Sequence, residues 1–169
     1  MRMNHQRGVG LVEILVAVVI VSIGFLAAAS MQVQGMRFSQ GAYFRSQAYF
    51  LASDIIDRMR NNSRAVTDGL YDTRATSAAP TNPNCNANNC DFAQMVDQDL
   101  YDWSSSLHNL AGVNNFVPAL PSATNVQARG EIELIEENEY RVTMYWAENV
   151  NGNSEQQSLV VNFATESIR

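Results

Sequence analysis

Lysine is missing from these 169 residues: all 11 basic side chains are arginine, set against 17 acids for a formal net charge of −6. So acidic a balance argues against a general binder of nucleic acid, which must neutralise phosphate with a basic surface. Cysteine is nearly absent as well. Cys85 and Cys90 stand alone, spaced C-x4-C within Pro80-Thr81-Asn82-Pro83-Asn84-Cys85-Asn86-Ala87-Asn88-Asn89-Cys90. Without a nearby histidine they cannot complete the usual four-ligand zinc site, and the spacing is not the redox C-x-x-C. A structural disulfide is the better reading, pinning an asparagine-rich loop and implying that this part of the chain lies in an oxidising compartment. Histidine is scarce too, and His108 has no nucleophile or acid at recognisable spacing. Neither an enzyme nor a cofactor is expected.

The most informative absence is of charge near the N-terminus. After Glu13 no charged residue occurs until Arg37, and the stretch from Ile14 to Met36 is mostly Val, Ile, Leu and Ala. About 20 such residues cross a bilayer as a helix, whereas a core helix apolar on every face needs a larger protein around it. Before the run stands a short leader with Arg2 and Arg7, ending in Gly8. Glu13 is the anomaly, because a carboxylate inside a membrane segment calls for a partner. Cutting after Gly8 would supply one, the new α-amine of Val9. It would also remove two arginines and make the chain more acidic. A rival reading takes Ala27-Ala28-Ala29 before Ser30 as the end of an ordinary secretory signal. Against it stand Glu13 and a helical pattern that continues past Ser30.

At these residues the sequence resembles the class III signal of type IV prepilins and pseudopilins. Gly8, Val9 and Glu13 match its cleavage glycine, first mature residue and fifth-position glutamate, while Val9 and Gly10 replace the usual Phe-Thr or Phe-Ser. The resemblance implies cleavage and N-methylation by a prepilin peptidase and an assembly role for Glu13. The Ser22-Ile23-Gly24 span, Ser46-Gln47-Ala48, Arg58-Met59-Arg60-Asn61 and the segment from Cys90 to Trp103 look like minor pilins of the PilV type.

Beyond the span, Ala48, Leu51, Ala52, Ile55 and Met59 recur at helical steps, so one helix from about Val9 to about Arg64 is expected, its second half packed on a globular domain. Arg58, Arg60 and Arg64 read as a solvated helix end. Residues 61–89 lack a period and read as a surface connection, with Asn61-Asn62-Ser63 a chance glycosylation pattern. A second helix is expected from Asp91 to Ala111, with an Asp91/Gln94 capping box and Gly112 as terminator. Its acids Asp97, Asp99 and Asp102 do not fit a calcium loop and read as a solvated face. From Val126 the period becomes two, giving three antiparallel strands with turns at Glu137-Asn138 and Asn151-Gly152-Asn153.

The expected class is therefore α+β and type IV pilin-like: a long N-terminal helix, transmembrane in its first half and amphipathic in its second, packed on a C-terminal antiparallel sheet, with an additional helix in the connection. The expected divisions are a leader, 1–8; a transmembrane or filament-core half-helix, 9–36; and a periplasmic globular domain, 37–169. By resemblance the chain is a minor pilin that primes pilus assembly and joins a tip complex, supporting adhesion and twitching motility. The implied partners are other minor pilins, the major pilin, the prepilin peptidase, the inner-membrane assembly platform and a tip adhesin. The protein would sit in the inner membrane with its C-terminal domain periplasmic before assembly, and in the extracellular pilus afterwards. Two rivals stay open: a pseudopilin of a type II secretion system, and a secreted periplasmic binding or catalytic domain released after Ala29.

Overall fold

The computed structural model describes residues 10–136, 139–150 and 152–164. The chain divides into two compact units, Met1–Gly41 and Ala42–Arg169. Helix α1, Leu11–Asn61, supplies the described part of the first unit, Gly10 excepted, and the opening segment of the second.

In the second unit α1 buries the expected stripe. Ala48, Ala52, Ile55 and Met59 are fully enclosed, with Ile56 beside them, and Leu51 packs at their margin. The helix stops at Asn61, short of Arg64, because Asn62 leaves helical geometry (φ −106°, ψ 53°). Its side-chain amide instead donates to the Phe92 carbonyl at 2.8 Å, an alternative partner of the kind that makes asparagine a poor helix continuer. Short helix α2, Ser63–Thr67, restarts the chain and buries Ala65 and Val66.

The stretch expected to be a surface connection is partly core. Tyr71 and Thr76 are enclosed, and Arg74–Ala75 forms strand β1. It pairs with β2, Arg129–Glu136, matching Arg74 to Ile132 and Ala75 to Glu131. A two-residue strand has no period to read. Its position is fixed instead by long-range bonds: the Gly130 N–H donates to Thr76 Oγ1 at 3.0 Å and the Leu134 N–H to Asp72 Oδ1 at 2.8 Å.

Helix α3, Phe92–Ser105, has the expected capping box: Asp91 accepts from the Gln94 N–H at 2.8 Å while Gln94 Oε1 accepts from the Asp91 N–H at 3.0 Å. It ends before Ala111. At Ser104-Ser105-Ser106 the Ser105 hydroxyl donates to the Asp102 carbonyl, and the Ser106 and Leu107 N–H groups bond three residues back, tightening the chain into turns. Gly112 does adopt a left-handed φ of +65°, but after those turns.

Strands β2, β3 (Glu139–Val150) and β4 (Asn153–Ala164) form the expected antiparallel meander, extended by β1 to four strands in the order β1-β2-β3-β4. Ile132, Tyr140, Val142, Met144, Trp146 and Phe163 face the helices. Trp103 of α3 lies so close to Gly130 of β2 that a Cβ there would collide with its ring, and its indole N–H donates to the Leu51 carbonyl of α1 at 3.0 Å. This contact ties α3, α1 and the sheet into one core. The Glu137-Asn138 turn and Asn151 lie outside the described residues; Gly152 has φ +90°, as a tight turn requires.

Candidate functional site

In the first unit the helix is apolar on all sides and buries nothing. Leu11, Leu15, Val19, Phe25 and Met31 are all more than half exposed. Among the described residues it is the one helix long and apolar enough to cross a membrane. The Ser22 hydroxyl donates to the Val18 carbonyl at 2.7 Å, so this polar group is satisfied within the helix. Gly24 and Gly35 have open space where a Cβ would stand. A surface of this kind must be covered by lipid or by other apolar helices.

Glu13 occupies the first turn, its N–H bonded to the Gly10 carbonyl at 2.9 Å. The unpaired amides and dipole of a helix N-terminus favour a carboxylate there. Gly8 and Val9 lie outside the described residues.

The second unit holds Cys85 and Cys90 bonded to each other. Their loop carries local bonds from Asn84 N–H to Asn82 Oδ1 at 2.7 Å and from Asn88 Nδ2 to the Pro83 carbonyl at 3.1 Å. It is moored to α3, where the Cys85 N–H donates to Gln98 Oε1 at 3.0 Å. Gln98 Nε2 in turn donates to Asp102 Oδ1 at 2.9 Å, and Asp102 Oδ2 accepts from Arg58 of α1 at 3.2 Å.

Arg58 also contacts Asp54 at 3.0 Å and Asp99 at 3.7 Å. Burial pulls its pKa down, but the three carboxylates together outweigh that and leave it raised. Asp99 is buried, which pushes its carboxyl above the usual range against the opposing Tyr71 hydrogen bond and Arg58 charge. Tyr71 is pushed well above an ordinary phenol, first by burial and then by Asp99. The solvated-face reading thus fails for Asp99, which is buried, and Arg58, expected at a solvated helix end, is half-buried among three carboxylates. Arg60 and Arg64 do stay exposed, their guanidinium groups lying over Phe163 and Phe92. His108 is half-buried, 3.4 Å from Thr76 Oγ1, and burial lowers its pKa. Among the described residues no group of three or more His, Cys, Asp or Glu side chains is placed to hold a metal ion.

Two family descriptions match the sequence. Residues 3–29 match the prokaryotic N-terminal methylation motif, and residues 30–101 match type IV pilin Tt1218. Part of this chain is thus similar to a type IV pilin, behind a stretch similar to an N-terminal methylation motif. No curated protein and no solved structure matches it.

The methylation motif covers Gly8, Val9, Glu13 and most of the apolar run. The pilin region takes in the amphipathic part of α1, the Cys85–Cys90 loop and most of α3, hence the Arg58, Tyr71 and Asp99 network. Strands β2, β3 and β4 fall outside both matches. Type IV pilins are in general structural subunits, and the family implies association with other pilins and with the prepilin peptidase. Motif and apolar helix together suggest membrane anchoring and pilus assembly.

The network went unread in the sequence although one signal for it exists. Asp99 lies between Val96 and Trp103 in the three-and-four spacing of the buried face of α3. An acid in that row has to find donors.

Proposed function

We propose that this chain is a minor pilin of the PilV type, cut after Gly8, methylated on Val9 and inserted through an apolar half-helix into a type IV pilus. The carrying observation is the first unit: a helix with no core of its own, open on every side, with Glu13 in its first turn. In the membrane lipid covers that surface; in a filament the helices of other subunits do. There an unpaired Glu13 would be costly, and the amine of a processed neighbour, or its own, becomes the natural counter-charge.

On this reading residues 1–8 are the leader, 9–36 the membrane and filament-core segment, and 37–169 the periplasmic domain. The subunit takes part in priming assembly and in a tip complex with other minor pilins, touching the major pilin, the assembly platform and a tip adhesin, and so supports adhesion and twitching motility. The pilin description over residues 30–101 and the disulfide-bonded asparagine-rich loop favour the pilus over a type II secretion pseudopilus.

The test is Glu13→Ala in cells. Insertion and leader cleavage should persist, while the processed protein stays in the inner membrane and is depleted from sheared pili. Incorporation equal to that of the parent would overturn the charge-pairing role.

A further inference from the structure

Strand β4 is the last in the sheet. Its 12 residues pair with β3 along their full length without a register shift, and among the described residues no strand lies beyond it. Such an edge presents a row of unpaired N–H and C=O groups, which folded proteins usually blunt by shortness, a bulge, Pro or Lys. β4 has none of these devices. Asn153–Ala164 contains no proline and a single charge, Glu155.

A cavity of about 300 Å³ runs beside this edge, between Tyr49, Ser53 and Ile56 of α1 and Val161 and Phe163 of β4. Tyr49 is 55% exposed, so its ring is available to an incoming side chain. The two charges at the cavity, Asp57 and Arg60, are bonded to each other at 3.1 Å. Together they present no net charge to a visitor.

We propose that β4 accepts an extended, uncharged strand from a different subunit held in the same membrane, extending the sheet while alternate apolar side chains of that strand fill the cavity. Backbone pairing supplies affinity and the cavity supplies selectivity. The choice of a different subunit rests on the minor-pilin reading, because a chain made in few copies meets other subunits more often than itself. A helix laid in the cavity would leave the backbone edge of β4 unpaired, so the edge favours a strand.

The test uses the full-length chain in its own membrane, with a photo-crosslinking amino acid placed in turn at Gln156, Ser158 and Asn162. The expected adducts map to one segment of another leader-bearing subunit, shifting by two residues from Gln156 to Ser158 and by four from Ser158 to Asn162, as paired strands do. Val160→Lys, at an exposed site on the edge, should cut the yield about tenfold, and Val160→Thr should not. The proposal is overturned by absence of adducts, by adducts to a helix or to β4 of a second copy, or by adducts that survive Val160→Lys. Pilus content is read in parallel. A chain missing from pili overturns the pilin reading, while a chain present in pili without β4 adducts overturns strand pairing alone.

Discussion

Tyr71 and Asp99, 28 residues apart in the chain, are joined by a hydrogen bond of 2.5 Å inside the second unit, the phenol donating to Oδ2. With Arg58 on the other carboxylate oxygen and Asn62 3.5 Å from the phenol oxygen, the contact ties the end of α1 to α3 and to the loop between them.

Tyr71→Phe should remove that donor and cost about 1–3 kcal/mol at neutral pH, the usual penalty for a buried acceptor left short of a partner. The loss has a predictable pH dependence. A carboxyl raised by folding contributes stability that is complete below the ordinary carboxylate value and disappears as pH rises through the folded value. Without Tyr71 the folded value rises further, so the penalty should shrink at pH 4 relative to pH 7. Urea denaturation at both pH values decides it; equal losses would refute the account of Asp99.

His108 has the opposite dependence. Burial lowers its pKa below the ordinary 6.5, so its stability contribution is present above that value and is lost as pH falls through the folded one. The parent should therefore lose more stability than His108→Gln on going from pH 7 to pH 5. Parallel denaturation curves for the two proteins over that range would contradict this.

Periodicity made much of the fold legible. The stripe Ala48, Ala52, Ile55, Met59 and the alternation along β2, β3 and β4 each follow a spacing that one buried face imposes. The uncharged run from Ile14 to Met36 was legible for a different reason, since a surface with no polar side cannot be solvated. Strand β1 was hidden because Arg74 and Ala75 are placed by distant Ile132 and Glu131. The early stop of α3 was hidden because the Ser105 hydroxyl takes the Asp102 carbonyl and the chain tightens into turns well before Gly112, which was expected to end the helix. Arg58 and Asp99 look solvated in isolation; only the docking of α1 and α3 decides that their charges meet.

The Cys85–Cys90 bond closes a small loop, so removing it with the double substitution Cys85→Ser, Cys90→Ser should cost about 2 kcal/mol in the chain-entropy model. Alkylation of the unfolded, unreduced protein should label neither cysteine. Labelling of both would show that the bridge does not form in the cell and would weaken the periplasmic placement.

The most direct measurement is the mass of the N-terminal peptide of the protein recovered from membranes and from sheared pili. Processing as a prepilin predicts a chain that begins at Val9, carries one methyl group on its α-amine and retains Glu13. A chain that begins at Ser30 would contradict it, since both Glu13 and the apolar helix would then have been discarded with a secretory signal.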